Sequence, residues 1–415
     1  MSKIEELLKY VSEHNDYYKK IISIYGITDF TDITQYPVIT RSQLQKNRYN
    51  MFSDGYKSKY FNQQLRRQSS SGTSGVPVNV YWDFKDWHVS NLALWRRRLH
   101  WYGVHPSDKY VMFTLNGLNV KADNKKIFFE KKYNNILLIN LSLMFSSKDY
   151  LKIIDLIEAF KPKWLFIQPF ILQNLIYWYK NSSHVIPDSI KYIESVGSLL
   201  SNDLRKKAIE IFKVPIANMY GSEEANCIAY ECPCHHMHIL NENIIVRCQN
   251  RQRECKDSNT GEAIITSLTN KAMPLINYNQ EDEIILKHLS EPCLYDSGSN
   301  VISLIKGRVL ECIHVNDEIE LNALMLLEIM GEVINQYGSI ILEYKFIYKE
   351  ATHELKCYIN IDQKNFQWYP NVKKSIERVF ASKLTSKIKS EINFEVSCEN
   401  SILSFGRKQR IIEKV

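Results

Sequence analysis

A chain of 415 residues with 45% hydrophobic and 24% charged residues is long enough for two or three domains and too apolar for wholesale disorder. Its formal net charge of +7 is dispersed, and short clusters such as Arg96-Arg97-Arg98 and Arg205-Lys206-Lys207 read as solvated helix faces, which excludes a recognisable nucleic-acid module. No apolar run is long enough for a transmembrane segment and the polar first thirty residues lack a signal-peptide core, so a cytoplasmic protein is expected, in which nine cysteines fit reduced thiols or a metal site better than a disulfide framework.

In chain order, residues 1 to about 50 read as helices broken at YPVITRSQL, where Pro37 interrupts the pattern and Thr40 stands as the cap of a helix starting at Arg41. From there to about residue 305, apolar runs (KYVMFTL, NNILLINL, KWLFIQ, EAIITSL) are interspersed with helical stretches such as SKDYLKIIDLIEAF and NDLRKKAIEIF. That alternation predicts a parallel sheet with helices packed on it. After Gly307-Arg308 the pattern becomes helix (ELNALMLLEIMGEVINQY), strand (LEYKFIYKE), strand (ELKCYINID), helix (NVKKSIERVFASKL) and strand (INFEVSC), a small α+β unit. The boundary at IKGRVLE divides the chain into domains of residues 1–306 and 307–415.

The sharpest local signal is Ser69-Ser70-Ser71-Gly72-Thr73-Ser74-Gly75-Val76-Pro77, followed by the strand-like VNVYW. Hydroxyls and glycines at this density offer N–H groups and side-chain donors to a phosphate chain, because glycine lets the backbone approach and curl. The run is neither a Gly-Lys-Ser/Thr loop nor a G-x-S-x-G elbow, and on composition alone a flexible Ser/Gly linker is the commoner reading. Asn218-Met219-Tyr220-Gly221-Ser222-Glu223-Glu224 puts an aromatic ring and a carboxylate where a strand should end, the place at which open α/β sheets hold ligands. Judged alone it reads equally as a Tyr-Gly turn with two solvated acids. Further on, GEAIITSL leads through AMPLINY to Asp282 and then to Gly307-Arg308.

In this order the segments resemble those of the adenylate-forming enzymes. SSSGTSGVP is similar to their phosphate-binding loop, MYGSEE to their Tyr-Gly-x-x-Glu motif, and PLINYNQED to Pro-Leu-Ile-Arg-Tyr-x-x-Gly-Asp. The phrases YPVITRSQL and GEAIITSLTNKAMPLINY resemble the phenylacetate-CoA ligase and CapK-type branch, and the likeness spans about residues 36 to 308. It implies a large N-terminal α/β domain of adenylate-forming type with a small mobile C-terminal α+β lid. The implied reaction activates a small-molecule carboxylic acid with ATP and Mg2+ to an acyl-adenylate, then passes the acyl group to CoA or to another thiol, amine or hydroxyl acceptor.

By that resemblance Ser70, Ser71, Gly72, Thr73, Ser74 and Gly75 would hold the ATP phosphates, with Thr73 a donor that strengthens as charge develops. Gly197 and Ser198, in Ser195-Val196-Gly197-Ser198, would line the adenine, and Tyr220, followed by Gly221, would lie against it. Glu224 would help hold magnesium, Asp282 would accept hydrogen bonds from the ribose hydroxyls, and Arg308 would begin the hinge. The usual C-terminal Gly-Lys phrase reads Gly406-Arg407-Lys408 here, so either Arg407 takes the lysine position or Lys408 supplies the ammonium from one residue further on.

The chain departs from the family pattern elsewhere too. Ser198 stands where many relatives carry Glu, Asn277 replaces the motif arginine, Gln280-Glu281 replaces a pair ending in glycine, and VLECIHVNDEIE lacks the usual glycine loop. The altered Gly-Arg-Lys phrase and the changed Asp282 motif suit a second reading, a degenerate relative that binds nucleotide or an acyl intermediate without efficient catalysis, while the intact phosphate loop argues against it. Phe166, Phe170, Tyr177 and Trp178 read as an aryl-acid pocket or, more commonly at helical spacing, as core.

From Cys227 through Cys232-Pro233-Cys234-His235-His236-Met237-His238, three cysteines and three histidines fall within a dozen positions. Thiolate and imidazole at this density predict a structural Zn2+ site of Cys227, Cys232, Cys234 and His238, with His235 or His236 as alternative ligands. No standard finger spacing is matched, and buried thiols beside solvated histidines are the competing reading.

Overall fold

A computed structural model describes residues 2–69, 78–114, 129–140, 147–249, 259–296, 298, 300–308, 313–316, 319–321, 323–337, 340–361, 363–383, 392–399 and 412–414. From the N-terminus come helices α1 (Lys3–His14), α2 (Asp16–Tyr25), α3 (Arg41–Asn47) and α4 (Tyr56–Phe61), strands β1 (Arg66–Ser69) and β2 (Asn79–Trp82), and helix α5 (Phe84–Tyr102). An alternating stretch follows: β3 (Tyr110–Thr114), β4 (Phe129–Tyr133), β5 (Ile136–Asn140), α6 (Ser147–Phe160), β6 (Trp164–Ile167), α7 (Pro169–Lys180), β7 (Tyr192–Val196) and α8 (Asn202–Phe212). Seven strands come next: β8 (Ile216–Ser222), β9 (Asn226–Glu231), β10 (Met237–Ile239), β11 (Ile244–Gln249), β12 (Thr260–Ser267), β13 (Tyr278–His288) and β14 (Asn300–Arg308). The C-terminal part holds β15 (Ile313–Asn316), β16 (Ile319–Leu321), α9 (Ala323–Tyr337), β17 (Ile341–Lys349), β18 (Glu354–Ile361), α10 (Tyr369–Lys383), β19 (Asn393–Cys398) and β20 (Ile412–Lys414).

The chain divides into two compact units, residues 1–106 with 217–305 and residues 107–216 with 306–415. In the second unit β7, β6, β3 and β5 are parallel neighbours and β4 adds antiparallel to β5. Their apolar runs are buried, as in Leu165, Ile167, Val111, Phe113, Leu137 and Ile139, because helical crossovers cover parallel strands on their faces. Phe170 and Trp178 pack onto this core, the plainer of the two readings of that aromatic cluster. The C-terminal sheet runs β19-β18-β17-β20, and its buried side chains (Phe346, Leu355, Cys357, Ile359) meet Leu326, Met330, Val372 and Ile376 of α9 and α10. All five elements expected after Gly307-Arg308 are present; β15, β16 and β20, of three or four residues each, are too short to set up a readable period.

The expected parallel sheet does not continue to residue 305. In the first unit the order is β11-β12-β13-β14-β10-β9-β8, and every described pairing between these strands is antiparallel. The reason lies in the connections: three residues separate β8 from β9 and five separate β9 from β10, whereas a parallel pair needs a crossover of about a dozen residues or more.

The N-terminal helices are bolted to this antiparallel sheet through buried polar groups. The Tyr18 hydroxyl donates to the Pro274 carbonyl and accepts from the Ile276 N–H, both at 3.0 Å. Ile39 pairs with Tyr278 as a parallel bridge: the Ile39 N–H donates to the Asn277 carbonyl and the Asn279 N–H to the Ile39 carbonyl, each at 2.9 Å. Thr40 then starts α3 with a reciprocal capping box to Gln43, the N-terminus its sequence signalled, which stabilises a helix end by about 1 kcal/mol. Among the described residues no helix is long and apolar enough to cross a membrane.

Asn277 holds this junction together. Its Nδ2 donates to the Ile33 and Tyr36 carbonyls at 2.8 Å, its Oδ1 accepts from Arg247 Nη2 at 2.6 Å, and its N–H donates to Thr266 Oγ1 at 2.9 Å. Its φ of +51° lies in the left-handed region, which asparagine tolerates better than most residues. Asn277→Ala removes three side-chain hydrogen bonds, one buried and two half-buried, at about 1 kcal/mol each, so the variant should lose roughly 3 kcal/mol, read as a lower urea midpoint with unchanged slope. A midpoint equal to the parent's contradicts this account.

Candidate functional site

Strand β8 ends in a turn that only glycine permits. A β-bulge falls between Tyr220 and Gly221, and a Cβ on Gly221 would overlap the Asn226 carbonyl oxygen of the neighbouring strand. The close approach turns the Tyr220 side chain into the first unit's interior, where its hydroxyl donates to Asp282 Oδ2 at 2.8 Å. Two residues 62 positions apart thus form one ring-and-carboxylate pair.

Glu224, in the same turn, is only 3% exposed. Arg41 Nη1 donates to its Oε1 at 3.4 Å and the Tyr278 hydroxyl donates to the same oxygen at 3.3 Å. A carboxylate at such depth needs a cation and hydrogen bonds to stay ionised, and the first residue of α3 supplies the cation. Burial, with the Glu224 charge next in effect, pushes the Tyr278 phenol well above its ordinary range, so it stays protonated as a donor. The Ser222 hydroxyl and the Gln280 amide nitrogen, from the same turn and the same strand as Asp282, are buried with no hydrogen-bond partner among the described residues.

The root of the Ser/Gly-rich segment reaches this corner. β1 and β2 pair antiparallel with Ser69 opposite Asn79, so residues 70–78 join two neighbouring strands. Gln68 Nε2 donates to the Glu223 carbonyl at 3.3 Å, to Glu223 Oε2 at 3.4 Å and to Asn226 Oδ1 at 3.0 Å. Its Oε1 accepts from Trp87 Nε1 at 3.0 Å, and the Arg66 guanidinium lies 3.9 Å from the Trp87 ring, a cation–π contact that stiffens the root. Ser70, Ser71, Gly72, Thr73, Ser74 and Gly75 themselves lie outside the described residues, as do Arg407 and Lys408.

The departures from the motif at 274–282 have a backbone explanation. Glu281 stands where the pattern has glycine and adopts φ +62°, the left-handed conformation a glycine would take. Its N–H donates to Asn279 Oδ1 at 2.7 Å, an Asx turn that offsets part of the roughly 1 kcal/mol strain of a non-glycine residue there. Asn277, where the pattern has arginine, clamps the N-terminal segment through Ile33 and Tyr36. Gly197, with φ +86°, turns the chain after β7 in the second unit and Ser198 follows it; Arg308 ends β14.

The grouping of cysteines and histidines differs from the expected one. Cys232 and His238 come together, with His236 and Cys293 as companions, their ligand atoms all within 4.8 Å of one another. Cys227 and Cys234 lie outside that group: the Cys227 thiol faces the Ala229 carbonyl at 3.5 Å and Cys234 is exposed in the turn. Strand alternation separates Cys227 from Cys232, since residues five apart point to opposite faces. Sequence reasoning missed Arg41, Gln68, Tyr278 and Cys293 as site residues; Arg41 sits in the YPVITRSQL phrase and Tyr278 in PLINYNQED, whereas Gln68 and Cys293 carried no signal.

No protein-family model matches this chain, and no curated protein does. Solved structures do. 2-Hydroxyisobutyryl-CoA ligase in the postadenylation state, in complex with 2-HIB-AMP, gives a TM-score of 0.70 at 12% identity over 100% of this chain and 88% of that one. An anthranilate-CoA ligase in complex with anthranoyl-AMP gives 0.56 at 13% identity over 83% and 65%, and a benzoate-CoA ligase from Burkholderia xenovorans LB400 gives 0.51 at 11% over 80% and 66%. At such identities the likeness establishes the fold alone, the mixed α/β architecture of these ligases, with a large N-terminal part and a smaller C-terminal one.

The Arg41–Glu224 pair makes a test of the corner independent of activity. Arg41→Ala strands a buried carboxylate and should destabilise by about 3–5 kcal/mol, whereas adding Glu224→Gln to it should recover most of that loss. Thermal unfolding of the two single variants and the double variant supplies the cycle. Strict additivity would show that the two side chains do not interact.

Proposed function

We propose that this chain activates a carboxylic acid with ATP, in the manner of the phenylacetate-CoA ligase and CapK-type branch, and passes the acyl group to CoA or to another thiol, amine or hydroxyl acceptor. The observation that carries the reading is the Tyr220–Asp282 hydrogen bond, 2.8 Å long, in one corner with Glu224 and the Gln68 root of the Ser/Gly-rich segment. An aromatic ring whose hydroxyl already orients a carboxylate suits a nucleoside, the ring against the base and Asp282 accepting from the ribose hydroxyls. The Ser222 hydroxyl and Gln280 amide, without a partner among the described residues, offer further polar contacts to a ligand, since buried polar groups otherwise find partners within the fold.

In the first step a carboxylate oxygen attacks the α-phosphorus, the bond from that phosphorus to the bridging oxygen breaks, and pyrophosphate leaves with the electron pair. Negative charge grows on the phosphate oxygens, so fixed donors stabilise the transition state more than the ground state. The hydroxyls and N–H groups of residues 70–75 serve that role. Both contacts to Glu224 fall on Oε1, which leaves Oε2 to face a cation, and Glu223 adds a second carboxylate in the turn. Magnesium bound there would draw charge from the phosphate oxygens. In the second step the acceptor attacks the acyl carbon and AMP leaves. A cytoplasmic location, where ATP and CoA are at hand, follows from this reading.

Pyrophosphate release from ATP across a panel of aliphatic and aryl acids tests the activity, and silence with every acid from protein that still binds ATP sinks the proposal. Thr73→Ala combined with Ser74→Ala should slow release about a hundredfold or more with the fold intact by circular dichroism. For the C-terminal cation, Lys408→Ala should cut adenylation strongly and leave ATP binding nearly unchanged, because the contact forms chiefly in the transition state. Should Arg407→Ala be the damaging change instead, the guanidinium holds the role.

A further inference from the structure

At the end of β9 remote from the Tyr220–Glu224 turn, the chain gathers four soft ligands that the proposed chemistry does not use. Cys232 opens the turn between β9 and β10, and its N–H donates to the His236 carbonyl at 2.9 Å. His235 takes φ +62°, which closes the turn and brings His236 beside Cys232. His238 lies on β10, opposite Tyr230 on one side and Val301 of β14 on the other. Cys293 comes from the segment before β14, where it bridges to Asp296. We propose that Cys232, His236, His238 and Cys293 bind one zinc ion in a closed tetrahedral site that staples the 289–296 segment to the β9–β10 hairpin.

Distances favour the ion over its alternatives. Zinc holds sulfur at about 2.3 Å and imidazole nitrogen at about 2.0–2.1 Å, so the ligand atoms of a tetrahedron stand about 3.4–3.8 Å apart. The Cys232 and Cys293 sulfurs are 3.7 Å apart, the spacing of two thiolates on one zinc and far beyond the roughly 2.05 Å of a disulfide bond. The whole set lies within 4.8 Å, so its widest pair needs to close by only about an ångström to reach ligand spacing.

The histidines point independently to a ligand. His238 is 1% exposed, yet among the described residues neither ring nitrogen makes a hydrogen bond of ordinary geometry, and His236 Nδ1 is likewise buried without a partner there. Leaving such groups unmatched costs about 1–3 kcal/mol each; coordination removes that cost. Two sulfurs and two imidazoles select zinc over the hard, oxygen-loving cations.

The surroundings fit a structural role. Arg97 Nη2 donates to Asp296 Oδ2 at 3.1 Å, Trp101 Nε1 donates to the Tyr295 carbonyl at 3.0 Å, and Trp101 packs edge-on against His238 at 5.7 Å. Helix α5 thus holds the segment from one side while the metal holds it from the other. The six-residue strand β9 separates Cys232 from the Glu224 turn by roughly 20 Å at about 3.3 Å per residue, and four protein ligands leave no position for substrate.

The test is metal analysis of the full chain, purified without a histidine tag from zinc-sufficient medium, followed by exchange with Co2+. About one zinc per chain is expected, with a Co2+ spectrum showing tetrahedral d–d bands and a thiolate charge-transfer band. Cys293→Ala and His236→Ala should each weaken zinc binding more than about 100-fold, since even an outer-sphere partner is worth about 10- to 100-fold. Cys227→Ala and Cys234→Ala should retain the metal. If the ligand variants fail to fold, alkylation of the parent decides: zinc should protect Cys232 and Cys293 while Cys234 reacts. A parent that takes up neither zinc nor Co2+, a Cys232–Cys293 disulfide found by mass spectrometry, unprotected Cys293, or metal lost on Cys234→Ala and kept on Cys293→Ala would each overturn the site.

Discussion

Burying the Glu224 carboxylate is the step on which the organisation of the first unit depends. A carboxylate removed from water costs several kcal/mol unless a cation and hydrogen bonds replace its hydration. Arg41 and Tyr278 supply both, but only if two other things hold. Helix α3 must be capped at Thr40 so that Arg41 is its first residue, and the strand carrying Tyr278 must enter the sheet in one register. The Ile39–Tyr278 bridge and the four hydrogen bonds of Asn277 meet both conditions together. The Tyr220–Asp282 pair, four residues on from Tyr278 along β13, inherits its position from that register.

Motif letters and motif geometry have come apart in this chain. The 274–282 segment has lost an arginine and a glycine relative to the pattern it resembles, yet the backbone keeps the left-handed turn at Glu281, supported by the Asn279 side chain. Such strain, about 1 kcal/mol, is small beside the hydrogen bonds that depend on the turn. At Gly221 no such tolerance exists, because the obstacle is the neighbouring strand's backbone and not a torsional preference. A glycine needed for φ can be replaced at modest cost; a glycine needed for close approach cannot.

Strand β9 serves opposite purposes at its two ends. At one end the bulge and the Glu224 turn gather carboxylates, an arginine and an aromatic ring, hard groups suited to phosphates and their counter-ions. At the other, the hairpin into β10 gathers thiols and imidazoles, soft groups whose buried ring nitrogens find no hydrogen-bond partner among the described residues. The antiparallel arrangement makes this division possible, since short turns place groups at both ends of each strand, whereas parallel strands confine loop chemistry to one side.

How much was legible beforehand follows from the range of each interaction. The α/β class, the five principal elements after Gly307-Arg308 and the capped start of α3 could be read because periodicity and capping are local, settled within a few residues by side-chain polarity and backbone donors. Tyr220, Glu224 and Asp282 were also nameable, through co-linear motifs. What the sequence by itself could not determine was which groups face one another. Arg41 meets Glu224 across 183 positions and Cys232 meets Cys293 across 61, while Cys227, only five residues from Cys232, points elsewhere. Proximity along the chain grouped Cys227 and Cys234 with Cys232 and His238, whereas the fold gathers Cys232 and His238 with His236 and Cys293, because strand alternation sends neighbours to opposite faces. Only sheet pairing, set by the buried register at Asn277 and Tyr278 and by the short antiparallel turns, decides which distant side chains share a face.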